Sequence, residues 1–351
     1  MNVRKTHPAL ATLSTLLLLL TACQAPRAAA PPTAAPPVAA SPAASMTVSA
    51  TPAPPSFEGR TLNVVTGGTG GVYIVYGAGL ADILTKKLKV AASAQSTAAS
   101  VANMQLIRDG KADVAFTLSD TAYDAFVGRG SFKPEEKVDA RTLAVLYSNI
   151  THVIAKDGAG INSVADLKGK RVSMGAAASG TEIIGNRILE AYGLDPAKDI
   201  QRERLGVADS ASALKDGKID AFFWSGGLPT SQVLDLANGI KLKFVDHTDA
   251  IKKMSDKYGP FYFPITIPKG TYKNEADIVT AGVANLLVVS AKFDAAFAQV
   301  ILRTMFDSQP ELAIIHAEAK NLTLAGAVEG SPLEFHPGAI DFYRSKGVWK
   351  K

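Results

Sequence analysis

Residues 109–116 read DGKADVAF and residues 216–223 read DGKIDAFF, the same short phrase 107 residues apart. About 40 residues upstream of each copy lies a second matched feature: VVTGGTGG (64–71) before the first and VSMGAAASG (172–180) before the second. Each of those is an apolar run, a turn without bulky side chains, and the start of a helical pattern. One unit therefore occurs twice in the same order: strand, bare turn, helix, then a helix that ends at Asp-Gly-Lys and feeds a strand. This predicts two similar α/β lobes. Gly110 and Gly217 suit left-handed helix C-caps. Asp113 and Asp220, just before buried strands, are expected to be structural acids.

The surrounding pattern agrees. From Arg60 onward short apolar runs alternate with amphipathic stretches: Leu62–Val65, Val114–Phe116, Leu143–Tyr147, His152–Ala155, Val172–Met174 and Ala221–Trp224. Helical spacing appears at Val72, Val75, Tyr76, Leu80, Ile83 and Leu84. Short apolar strands separated by helices predict a largely parallel α/β architecture. With 351 residues, 47% of them hydrophobic, two folding units are expected rather than one.

The N-terminus has a different character. Arg4 and Lys5 precede an apolar core, Leu10–Leu20, too short to span a bilayer. Leu20-Thr21-Ala22-Cys23 follows and carries the only cysteine of the chain. This resembles a bacterial lipobox, so residues 1–22 are expected to be a lipoprotein signal peptide and Cys23 the lipidation site. A lone cysteine leaves no internal disulfide in an exported chain. Residues 23–57 are Ala/Pro-rich, with nine of the 19 prolines. They read as a polyproline-leaning tether, reaching roughly 100 Å at about 3.1 Å per residue. The formal net charge of +5 falls to about +3 without Arg4 and Lys5. Basic residues are scattered, so no nucleic-acid partner is expected.

The bare turns carry the functional reading. Ser179-Gly180-Thr181-Glu182 fits a capping box at a helix start. A helix N-terminus exposes free N–H groups and about half a positive charge. Where flanking side chains are small, an anion can reach that backbone. TGGTGG offers the same in the first lobe, with Thr69 adding a hydroxyl. In parallel α/β units such turns lie at the carboxyl ends of strands, where ligands bind. Ser96, Thr97 and Ser100, Ser119-Asp120, and Gly226-Gly227 mark further strand-to-helix junctions. Tyr73 and Tyr76 sit on the first turn of the first helix, and spacing alone leaves open which faces the cleft. A nucleotide site is not supported, since GxxxxGK[ST] and GxGxxG are both missing. HExxH, CxxC and GxSxG are missing too, and the histidines (7, 152, 247, 316 and 336) are dispersed. No enzyme activity, metal or cofactor is expected, although a cleft enzyme on the same two-lobed body and a surface sensor remain the competing readings.

At this point the residues resemble the TAXI-type solute-binding proteins of tripartite ATP-independent periplasmic (TRAP) transporters. The matching pieces are TGGTGGVY (66–73), DGKADVAFTLSDTAYDA (109–125), SVADLKGKRVSMGAAASGTE (163–182), KDGKIDAFFWSGGLP (215–229), TIPKGTY (266–272) and HPGAIDFYR (336–344). The resemblance implies a two-lobed, type II periplasmic-binding-protein fold with a ligand cleft between the lobes. It implies capture of a small organic anion (a dicarboxylate, keto acid or acidic amino acid such as glutamate) and delivery to a TRAP membrane subunit. The protein would work as a membrane-anchored monomer on the periplasmic or extracellular face of the cell envelope. Lobe 1 is expected over 58–148 and 248–351, and lobe 2 over 149–247. Residues matching the family's ligand-facing loops are Thr69, Gly71, Tyr73, Thr97, Ser100 and Ser119 in lobe 1, and Ser179, Gly180, Thr181 and Gly226 in lobe 2. Phe263 is expected to wall the cleft. The segment AQSTAAS (94–100) departs from the family in lacking the glycines common there.

Overall fold

The computed structural model describes residues 56–350. The expected signal peptide, Cys23 and all but the end of the tether lie outside them. No helix among the described residues is long and apolar enough to cross a membrane.

The doubled unit is present element for element. The first copy runs β1 (Thr61–Val65), α1 (Val72–Leu88), β2 (Ala91–Gln95), α2 (Ser100–Arg108), β3 (Val114–Leu118), α3 (Ser119–Val127). A long strand, β4 (Ala140–Lys156), follows. The second copy runs β5 (Arg171–Ser173), α4 (Gly180–Ala191), β6 (Gln201–Glu203), α5 (Val207–Lys215), β7 (Ala221–Gly226), α6 (Ser231–Gly239) and β8 (Leu242–Phe244). The chain continues through α7 (Asp249–Tyr258), β9 (Tyr262–Ile267), β10 (Ile278–Ser290), α8 (Ala295–Asp307), α9 (Gln309–Ile315) and α10 (Pro337–Ser345).

Both copies use one strand order. In lobe 1 it is β2-β1-β3-β10-β4, with β1, β2 and β3 parallel and β10 antiparallel. In lobe 2 it is β6-β5-β7-β4-β8, with β5, β6 and β7 parallel and β4 antiparallel. Each lobe thus borrows its antiparallel strand from a segment that spans both. The molecule is a two-lobed α/β fold with its cleft at the carboxyl ends of the parallel strands.

The duplicated phrase does the structural work expected of it. Gly110 and Gly217 adopt φ of +66° and +72° after α2 and α5. Asp113 accepts a hydrogen bond from the Asn63 amide at 2.7 Å, and Asp220 accepts one from the Arg171 amide at 2.8 Å. Each acid ties its lobe's first strand to the parallel strand that the acid precedes.

Two expectations need correction. The runs at 143–147 and 152–155 belong to one strand, β4. The polar residues between them, Ser148, Asn149 and Thr151, sit where β4 passes from pairing with β10 to pairing with β7. Lobe 2 also does not end at 247. Ala250, Met254, Phe261 and Tyr262 pack into the same apolar core as Val172, Ile184 and Ile188. The return crossing is made by β10, which pairs with β9 through Val283 and with β3 from Asn285 onward. The amphipathic face of α7 decides this, because the nearest unsatisfied apolar surface for it is α4 of lobe 2.

The candidate solute cleft

Four helices begin at the cleft. The α1 N-cap is Gly71, the α2 N-cap Ala99 and the α5 N-cap Gly206, and none of the three has a side-chain cap. The α4 N-cap is Ser179, whose hydroxyl accepts the Glu182 amide at 3.1 Å. Glu182 closes a variant of the expected capping box, accepting from the Ala178 amide rather than from Ser179. The four starts line one cavity of about 60 Å³, room for a few water-sized groups. No charged side chain lines it among the described residues. Its polar character comes from main-chain N–H groups and neutral side chains, so its field is that of the helix ends.

Of the residues expected at the ligand, the structure brings Thr69, Gly71, Tyr73 and Ser100 from lobe 1 together with Ser179, Gly180, Thr181 and Gly226 from lobe 2. Thr97 and Ser119, expected there too, are not among the lining residues. The Thr97 hydroxyl is spent locally, 2.6 Å from Asn103 Oδ1 and accepting the Ala99 amide at 3.0 Å. β3 runs two residues further than its apolar core suggests, so Leu118 takes the cleft position and Ser119 is buried at the start of α3. Phe263 is not among them either: on β9 it lies over Gly282 of β10, away from the cavity. Between the tyrosines, Tyr73 lines the cavity and Tyr76 packs against Phe116 and Tyr147.

The glycines of TGGTGG serve the approach of lobe 2. A Cβ on Gly70 would fall 2.2 Å from the Gln232 side chain, and one on Gly71 would fall 3.1 Å from the Trp224 ring. Gly226 lies against the same indole, whose Nε1 donates to Thr230 Oγ1 at 2.8 Å. Opposite, a Cβ on Gly180 would meet Leu118 Cδ1 at 2.6 Å and Ser100 Oγ at 2.7 Å. The Ala102 amide of α2 donates to the Ala178 carbonyl of lobe 2 at 3.1 Å. At these places a neighbouring side chain lies directly against the glycine's bare backbone, and a Cβ would take up that space.

Sequence reasoning missed Tyr147, Asn149, Trp224 and Ser225, all in strands. Between the paired residues Ala284↔Ser148 and Leu286↔Val145, β4 has one residue more than β10. This bulge, at Leu146–Tyr147 opposite Asn285, lets Tyr147 reach the cavity wall. Tyr147 is 4% exposed, and its hydroxyl has no hydrogen-bond partner among the described residues. Burial pushes the Tyr73 and Tyr147 hydroxyls upward in pKa, so both are neutral donors. A polar chain crosses the cleft floor: Tyr73 donates to Asn285 Oδ1, Asn285 donates to Asn149 Oδ1 at 2.7 Å, and Asn149 donates to Ser225 Oγ at 3.4 Å.

Residues 64–347 match the profile of the NMT1-like family. The chain belongs to the NMT1-like family. Among solved structures, this family member is similar to the periplasmic aliphatic sulphonate binding protein SsuA from Escherichia coli, with 16% identity over 75% of each chain and a TM-score of 0.42. It is similar to the alkanesulfonate-binding protein SsuA from Xanthomonas axonopodis pv. citri bound to MOPS, with 15% identity over 84% of this chain and 96% of that one and a TM-score of 0.45. An ancestral arginine-binding protein bound to arginine shares 16% identity over 74% of this chain and 97% of that one, with a TM-score of 0.47.

Proposed function

We propose that the protein is a cell-envelope solute receptor that captures a small organic anion by closure of its two lobes. The observation that carries this reading is the convergence of four helix N-termini, two from each lobe, on a cavity lined by neutral side chains. Carboxylate groups suit those ends: each free N–H donates to the anion in a site shielded from water, where charge-assisted bonds are strong. A dicarboxylate, a keto acid or an acidic amino acid can place one anionic group on α1 and α2 and another on α4 and α5. The Tyr147 hydroxyl adds a donor for an oxygen between them.

Closure follows from the division of the site. A solute that touches both lobes interacts more strongly with the closed arrangement and shifts the equilibrium by that difference. Delivery to a TRAP-type membrane subunit, with Cys23 as lipid anchor, rests on the motifs quoted above. A thermal-unfolding panel of dicarboxylates, keto acids, acidic and neutral amino acids, sulfonates and sugars tests the ligand class. At about 100 times its Kd a true ligand adds roughly 2.7 kcal/mol, a shift of several degrees. A response confined to sugars or neutral amino acids would contradict the anion reading.

A further inference from the structure

Away from the cavity, one charged cluster joins the two lobes. Asp120 and Asp124 lie one turn apart on α3 of lobe 1, and Arg187 lies on α4 of lobe 2. They are 0%, 2% and 5% exposed. Arg187 Nη1 donates to Asp120 Oδ2 at 3.1 Å, and Nη2 donates to Asp124 Oδ2. Tyr262 of β9 donates to Asp120 Oδ2 at 2.8 Å and accepts from Arg187. Tyr258 of α7 stacks on the Arg187 guanidinium, 4.2 Å from ring centre to charge. Arg129 binds the remaining Asp124 oxygen at 2.5 Å and donates to the Tyr258 carbonyl. Two acids from one lobe and an arginine from the other are thus buried against each other, with Arg129 completing the charge balance. None of the three lines the solute cavity.

We propose that Arg187, Asp120 and Asp124 form a latch that fixes the register of lobe closure and sets the closed-to-open ratio without touching solute. A buried ion pair adds little net stability over an apolar contact, but it penalises every arrangement that leaves one charge buried and unpaired. Fork-to-carboxylate geometry is also directional. Lobes that close at another angle would strand one acid against apolar surface. Lobes that open return the charges to water. The proposal rests on the lobe-closure part of the reading above and is independent of the solute's chemistry.

Hydrogen exchange on the full chain, without added solute, tests it. The Ala102 amide sits in the first turn of α2 and bonds across the lobes, so its exchange tracks opening. In Arg187→Gln, Asp120 loses its only charged partner in the closed form while Asp124 keeps Arg129 alone, and Ala102 is expected to exchange about 100-fold faster or more. The neutral set Arg187→Gln with Asp120→Asn and Asp124→Asn leaves only Arg129 charged, whose side chain is 37% exposed and stays hydrated, and is expected to return within about tenfold of the wild-type rate. Phe222, in the core of lobe 2, should exchange unchanged in both. An unchanged Ala102 rate in Arg187→Gln overturns the latch. So does equal acceleration at Phe222, which would make the cluster a support of the lobe itself. A neutral set as fast as the single variant also overturns it. Failure of every anion in the solute panel would leave these outcomes untouched.

Discussion

Gly180→Ala is the sharpest perturbation of closure, because it puts a methyl group in place of a hydrogen at the point where the lobes meet. The new Cβ would lie 2.6 Å from Leu118 Cδ1 and 2.7 Å from Ser100 Oγ, against an ordinary contact of about 3.5–4 Å. Neither neighbour can give way freely. Leu118 is 2% exposed, and Ser100 is held by the Leu118 amide at 3.2 Å. The lobes must therefore part by about 1 Å, which takes the Ala102–Ala178 bond beyond hydrogen-bonding distance. Overpacking of this kind costs about 1–3 kcal/mol and the lost bond about 0.5–1.5 kcal/mol. Only the closed form carries these costs, since in the open form the methyl faces the cleft and suits the first turn of a helix. A penalty of about 2–4 kcal/mol on closure weakens solute binding about 30- to 1000-fold. Titration calorimetry with the solute that gives the largest shift in the panel measures this, alongside the melting temperature of the solute-free protein. Affinity within threefold of wild type would refute the reasoning, as would a fall in solute-free stability large enough to account for the loss.

Other expectations follow from single residues. Ala99 holds φ +83° and ψ −141°, a conformation that favours glycine. Ala99→Gly should raise stability by about 1 kcal/mol, or about 2 °C in melting temperature, after the glycine's extra entropy is offset; a lower melting temperature would contradict the strain. Tyr147→Phe removes a buried hydroxyl without a protein partner, so solute-free stability should hold or rise by up to about 1 kcal/mol. Affinity should drop about tenfold as the solute loses a donor, and the opposite pattern, lost stability with intact affinity, would refute this role. His152 lies buried at the hinge against Phe244 and Tyr272, and burial pushes its imidazole down to about 4. The folded protein therefore binds this proton less readily than the unfolded chain, whose histidine titrates near 6.5. The sign follows: the contribution is complete above about pH 6.5 and is lost as pH falls from there to about 4, amounting to about 3 kcal/mol. Urea unfolding of His152→Phe across that window should show a flatter pH profile than wild type, and parallel profiles would contradict the assignment.

What the sequence revealed was what local chemistry controls. The doubled Asp-Gly-Lys phrase, the bare turns and the Ser179 cap are each readable within a few residues, and they placed the helix ends of both lobes. The rest depends on contacts far apart in the chain. Tyr147 and Trp224 read as core strand residues, because nothing local shows a bulge at Leu146–Tyr147 or a strand end that opens on a cleft. Asn149 falls between the apolar runs 143–147 and 152–155, and a polar residue there makes sense inside a strand only once two sheets are seen to share it. Arg187 sits in an amphipathic helix where an arginine usually faces solvent, and Tyr258 and Tyr262 of its own lobe together with α3 of the other lobe bury it. The lobe boundary after 247 failed for the same reason: α7 follows a hinge-like stretch, but its apolar face belongs to the core of α4.

The central claim is that neutral donors at four helix ends select an anion. Calorimetric titration of a matched pair tests it most directly: the best-binding dicarboxylate from the panel and its diamide, equal in shape and uncharged. The diacid is expected to bind 1:1 and the diamide to lose at least 100-fold, about 2.7 kcal/mol. Equal affinity for the two would contradict it, because helix ends that do not distinguish a carboxylate from an amide cannot be what selects the solute.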